Sequence, residues 1–152
     1  MSQQRIGFVQ ASWHGNIVNR LRESFTSKIA ELLPEPPVID VWEVPGSLEI
    51  PLQISLLHEH GNYDIFVAAG LIVNGGIYRH EFVADNVLRS VMDLQMSQHV
   101  PIIYAVLTPH NFHEGENSPH EQFFLEHFVA KGAEAASACK ITLDNIAKVK
   151  SL

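Results

Sequence analysis

Seven consecutive residues, Asn74-Gly75-Gly76-Ile77-Tyr78-Arg79-His80, lie between an apolar run, Ile65 to Val73, and a helical pattern, Glu81 to Gln98. Paired glycines let backbone N–H groups approach an anion closely, and Arg79 and His80 bring fixed and titratable charge to the same helix start. A tight strand-to-helix turn would use the same glycines. Pro45-Gly46-Ser47-Leu48-Glu49 offers backbone N–H groups at a helix start and a carboxylate able to accept from hydroxyls. Glu49 is also suited to serve simply as a negative charge at that helix start. Trp13 follows one apolar run and precedes a helix, where its ring either caps a pocket and stacks on a planar ligand or packs on its own helix. Pro109-His110-Asn111-Phe112-His113, with His120 and His127 beyond, is rich in imidazole. Its spacings match no closed zinc pattern and no cysteine joins them, so no metal is expected. Neutral imidazoles, one or two facing a ligand, are.

These residues stand at the ends of alternating apolar runs and helical patterns. Arg5 to Ala11 predicts a strand, followed from about Asn16 by a helix with Ile17, Leu21, Phe25, Ile29 and Leu32 on one face. Pro34, Pro36 and Pro37 stop that helix. Val38 to Val44 predicts a second strand, and Leu48 to His60 a second helix that ends at Gly61 and carries Pro51 in its first turn. Tyr63 to Val73 and Val100 to Leu107 predict two more strands. Glu81 to Gln98 carries Val83, Val87, Val91 and Leu94 on one face, and a last helix runs from about His120 to Lys148. Continuous apolar strands separated by crossover helices predict α/β architecture: a three-layer α/β/α sandwich with a flavodoxin-like, four-stranded parallel sheet and helices on both faces. In such a sheet, ligands bind beyond the carboxyl ends of the strands, which is where the four chemistry-bearing segments fall.

The chain has 152 residues, the usual size of one domain, so residues 1–152 are expected to form a single unit. Seventeen acids against ten Lys and Arg give a net charge of −7, which argues against nucleic acid and anionic membrane as partners. The lone cysteine, Cys139, sits among small residues of the last helix and reads as a buried hydrophobe more readily than as a reactive thiol. The N-terminus shows no basic segment followed by an apolar core, and no apolar run approaches the ~18 residues of a membrane span. A cytoplasmic protein is expected.

Four segments together carry a family resemblance: Val44-Pro45-Gly46-Ser47-Leu48-Glu49-Ile50-Pro51, Gly70-Leu71-Ile72-Val73-Asn74-Gly75-Gly76, Val100 to Thr108, and Lys131-Gly132-Ala133-Glu134-Ala135-Ala136. In order and spacing they resemble lumazine synthase, from about Arg5 to the last helix. The resemblance implies condensation of 5-amino-6-(D-ribitylamino)uracil with 3,4-dihydroxy-2-butanone 4-phosphate, through an imine, with loss of phosphate and ring closure to 6,7-dimethyl-8-ribityllumazine. It implies no metal and no organic cofactor. Such chemistry depends mainly on holding two reactive substrates together, with modest proton transfer.

Position by position, the resemblance implies that Trp13 stacks on the pyrimidine and that Ser47, Leu48 and Glu49 hold the ribityl chain. It assigns the uracil edge to the backbone of Leu71, Ile72 and Val73, and the phosphate of the second substrate to Gly76 and Ile77. Tyr104 is implied to reach the pyrimidine from an adjacent subunit, and Lys131 to line the same pocket. Asn74 stands where the family usually has a basic residue, and the proton-transfer histidine falls on Arg79, with His80 one residue later. A guanidinium stays protonated and is no ordinary base, so Arg79 is expected to stabilise charge while His80 or a substrate group moves the proton. The phosphate-binding arginine expected before Lys131 is absent from Glu121 to His127, and Arg79, His120 and His127 are the groups that could restore that charge.

This pattern is similar to the divergent second lumazine synthase of some bacteria, which implies a homo-pentamer and a decamer of two pentamers face to face. Four residues precede the first predicted strand, so a neighbour-pairing arm and a hollow shell are not expected. The alternative is a lumazine- or flavin-binding protein that kept the stacking pocket and lost efficient synthesis. A flavodoxin-like signalling domain is a third reading, but Gln10 to His14 lacks the acidic cluster it would need.

Overall fold

The computed structural model describes residues 2–74, 77, 79–110 and 119–152. The strands β1 (Arg5–Ala11), β2 (Val38–Val44), β3 (Ile65–Leu71) and β4 (Ile102–Leu107) alternate with helices α1 (Gly15–Leu32), α2 (Ile50–His60), α3 (His80–Gln98) and α4 (Pro119–Lys150). All pairings are parallel and the order is β2-β1-β3-β4, so the chain starts in the middle of the sheet, moves to one edge and returns to the other side. The expected α/β/α sandwich is what forms.

Alternation along the strands feeds two cores. Ile6 and Phe8 of β1 and Val67 and Ala69 of β3 pack under α1 and α4, with Leu21, Phe25, Ile29, Phe128 and Cys139. Val9 and Ala11 of β1 and Phe66 and Ala68 of β3 face Ile50 and Ile54 of α2 and Val87, Val91 and Leu94 of α3. Every residue of the inner strand β3 is buried, whereas β2 at the sheet edge leaves Val38, Val41 and Trp42 exposed.

Some boundaries move. The predicted second helix divides into a 3-10 turn, Ser47–Glu49, and α2 proper, where Pro51 occupies the first turn and its missing N–H has no helical partner to lose. The third strand ends at Leu71, because the chain leaves the ladder once Ile72 N–H has met Leu107 O at 2.9 Å. The fourth strand starts only at Ile102, immediately after Pro101, which lacks a ladder donor. One glycine is essential to the α1/α4 contact: a Cβ on Gly132 would run into Leu21 O and stand 2.7 Å from Ser24 Cβ and 2.9 Å from Phe25 N.

Candidate active site

The strand order reverses between β1 and β3, and their carboxyl ends send the chain to opposite faces: β1 to α1, β3 to α3. That divergence opens a crevice at the carboxyl edge, the place where open α/β sheets bind small molecules. Trp13 follows β1 at this edge, and Val73 follows β3.

Trp13 is 71% exposed, so it does not pack on its own helix. His14, the next residue, caps α1 in the left-handed region at φ 56° and ψ 39°, and its carbonyl accepts from Ile17 N–H and Val18 N–H. Histidine tolerates that region better than bulkier or β-branched residues do. Ser12 N–H donates to Val44 O at 2.8 Å, and the Ser12 hydroxyl donates to Pro45 O at 2.9 Å. The β1 exit is thereby tied to the β2 exit.

The β2 exit closes on itself. Glu49 N–H donates to Gly46 O at 3.2 Å, and Gly46 N–H donates back to Glu49 Oε2 at 2.9 Å. Glu49 thus serves the helix start, and its exposed carboxylate has further lone pairs for a ligand. Ser47 is buried against β3, its Oγ 2.8 Å from where a Cβ on Gly70 would stand, so Gly70 is what lets the turn seat on the sheet. Leu48, beside it, is exposed.

At the β3 exit, Leu71 and Ile72 are buried and the Ile72 N–H is committed to Leu107. Val73 is half-buried and stands past the ladder, so its backbone is the first of the three to leave the sheet. Ile77 is 83% exposed. Gly76, expected to cradle a phosphate with Ile77, lies outside the described residues, as do Gly75, Tyr78 and residues 111–118. Arg79 is exposed, with its guanidinium 5.7 Å over the Phe82 ring. His80 opens α3 with its side chain only 12% exposed and Nδ1 3.6 Å from Glu81 Oε2.

Three predicted residues, Tyr104, His127 and Lys131, stand apart from this edge. Tyr104 lies mid-strand on β4, opposite Ala68 and three residues, about 10 Å, back from Leu107. Burial raises the pKa of its phenol, which stays protonated at neutral pH. His120 opens α4 near the edge, where Asn16 Nδ2 donates to Glu121 Oε1 at 2.6 Å. His127 is stacked on Phe123 at 5.4 Å and meets Phe124 edge-on. Lys131 pairs with Glu134 at 2.9 Å, about 16 Å along α4 from His120 at the helical rise. His120, His127 and Lys131 are separated by seven and four residues, which puts them on one face of α4. A single copy therefore does not gather Tyr104 and Lys131 with the carboxyl-edge residues.

Cys139 is buried, and that burial pushes its thiol up to about 12, which keeps it protonated and unreactive. Among the described residues no cluster of three His, Cys, Asp or Glu could hold a metal, and no helix is long and apolar enough to cross a membrane. Reading the sequence assigned no role to Ser12. Its one signal was position, a hydroxyl at a strand end opposite a Pro-Gly turn.

A parallel sheet with an aromatic ring and a carboxylate turn at the carboxyl ends of its strands, around the switch point, defines an α/β protein built to clasp a small molecule at that edge. The family model for 6,7-dimethyl-8-ribityllumazine synthase matches residues 3–146, and the chain belongs to that family. A 6,7-dimethyl-8-ribityllumazine synthase of Rhodococcus erythropolis is 50% identical over 143 residues, 94% of this chain and 91% of that protein. Two proteins named 6,7-dimethyl-8-ribityllumazine synthase 2 are also similar. That of Bradyrhizobium diazoefficiens is 48% identical over 97% of this chain and 87% of its own length; that of Pseudomonas syringae pv. tomato is 44% identical over 98% and 86%.

Proposed function

We propose that the protein condenses 5-amino-6-(D-ribitylamino)uracil with 3,4-dihydroxy-2-butanone 4-phosphate to 6,7-dimethyl-8-ribityllumazine, a step of riboflavin biosynthesis, as one domain acting without metal or cofactor. The observation that supports this reading, beside family membership, is that Trp13, the Gly46–Glu49 turn and Val73 all follow carboxyl ends of adjacent parallel strands around the β1/β3 switch point. Trp13 stacks on the pyrimidine, Glu49 and the Ser47–Leu48 backbone take the ribityl hydroxyls, and the Leu71–Val73 strand end reads the uracil edge. Gly76 and Ile77 cradle the phosphate. Arg79, fixed in charge and exposed, stabilises the departing phosphate; His80, with its titratable imidazole sheltered at the α3 start, moves the proton.

His120 stands near this crevice within one chain, and Tyr104, His127 and Lys131 come to it from a neighbouring copy. Their separation from it within one chain supports that reading, as do the exposed apolar stripes Leu52 and Leu56 on α2 and Leu88, Met92 and Met96 on α3. The assembly is a pentamer, paired face to face as a decamer, in the cytoplasm. The binding-only alternative has no observation in its favour.

Incubating the purified protein with both substrates and following lumazine absorbance tests the activity; a correctly folded protein without turnover refutes it. Glu49→Ala is expected to raise KM for the ribityl substrate roughly tenfold, the loss of charged hydrogen bonds to hydroxyls. An unchanged KM removes Glu49 from the site.

A further inference from the structure

Trp13 is the group on which pyrimidine stacking depends, yet at 71% exposure it has little packing of its own to hold it. The backbone holds it instead. On one side the left-handed His14 turns the chain into α1, and its carbonyl accepts from Ile17 N–H and Val18 N–H. On the other, Ser12 extends the β1–β2 ladder by one bond to Val44 O and adds a side-chain bond to Pro45 O at 2.9 Å. Pro45 is followed by Gly46, whose N–H is bound to Glu49 Oε2 at 2.9 Å. A continuous tie thus runs from Trp13 through Ser12, Pro45 and Gly46 to the Glu49 carboxylate. The Ser12 hydroxyl supplies the side-chain bond between the two loops.

We propose that Ser12 is a positioning residue whose hydroxyl, bound to Pro45 O, sets the spacing between Trp13 and Glu49 and so tunes affinity for the ribityl-bearing pyrimidine. This rests on the function proposed above, in which the ring and the carboxylate grip the two ends of one substrate. A clamp held to spacing before the substrate arrives loses less freedom on binding. Ser12 touches no reacting atom, so its removal acts on binding and leaves the bound-state chemistry alone.

The chain has two tryptophans, Trp13 and Trp42. In a Trp42→Phe background Trp13 is the sole indole, and its fluorescence anisotropy decay reports its freedom without reference to activity. Adding Ser12→Ala is expected to enlarge the fast, local component of that decay. KM for the pyrimidine should rise roughly three- to tenfold, with kcat within about a factor of two of the parent and melting unchanged. Ser12→Thr, which keeps a hydroxyl, should restore both readouts. An anisotropy decay and KM indistinguishable from the parent overturn the proposal, as does a threonine variant as loose as the alanine one. A parent protein without turnover strikes the proposed activity instead, and the anisotropy of Trp13 still decides whether Ser12 holds the ring.

Discussion

The two helical layers meet the same sheet and finish differently. On one face α1 and α4 lie so close that Gly132 sits against the α1 backbone, and Ser24 Oγ donates to Val129 O at 2.5 Å. Phe8 and Phe25 meet at 5.4 Å beneath them, and Phe25 and Phe128 are fully buried. On the other face α2 and α3 bury Ile50, Ile54, Val87, Val91 and Leu94 but leave Leu52, Leu56, Leu88, Met92 and Met96 in solvent. The first layer is tightly interlocked within one chain, although α4 also leaves Phe123, Val129, Ile141 and Val149 exposed. The second carries more apolar surface than its own sheet can cover, the mark of a face that other molecules cover.

Truncations that probe the closed layer should therefore act on folding, and charges placed on the open layer should act on assembly. Phe128→Ala is expected to destabilise by about 3–5 kcal/mol, since the rigid α1/α4 packing cannot collapse around the void. Urea unfolding checks it, and a loss below about 1 kcal/mol would mean that this layer is looser than its contacts indicate. Gly132→Ala comes next, at about 1–3 kcal/mol, because the new methyl meets backbone atoms that a side chain cannot move out of the way. Leu88→Lys with Met92→Lys should change the stability of an isolated chain by only about 0.5 kcal/mol per site. Light scattering after gel filtration should nevertheless show smaller particles, and an unchanged mass would break the comparison.

The smallest effect belongs to the outer strand. Arg5 donates to Asp40 Oδ2 from Nε at 2.9 Å and from Nη2 at 2.7 Å, and the Tyr63 hydroxyl donates to the same oxygen at 3.0 Å. These bonds, that of Arg5 first, hold the Asp40 carboxyl below its ordinary pKa. A depressed folded value means that the pair stabilises the fold above the unfolded carboxyl value, about 3.9, and that this help fades as pH falls through the lower folded value. Asp40→Asn should accordingly melt slightly earlier than the parent near pH 7, with the gap closing as pH falls through the lowered carboxyl value. Both side chains are substantially exposed and screened by water, so a large gap would be unexpected.

Much of this was legible along the chain. Continuous apolar runs marked four strands because a covered parallel sheet buries both faces, period-3.6 patterns marked four helices because each buries one, and Pro34 and Pro51 marked a helix end and a helix start by losing an N–H. The carboxyl-edge residues were readable because loops after strands fall at one edge of a parallel sheet. Glu49 was readable only as two alternatives. The described turn assigns one of its oxygens to Gly46, which the carboxylate itself could not announce.

Residue order thus determined the elements, the parallel sheet and the loops that carry the chemistry, since these follow from local sterics and side-chain period. Tertiary structure alone decided which loops touch. The bond from Ser12 to Pro45 spans 33 residues and that from Asn16 to Glu121 spans 105, separations at which no local preference operates. It also decided that Tyr104 and Lys131 lie away from the edge holding Trp13, because strand register and helical rise fix those separations only after the chain has folded.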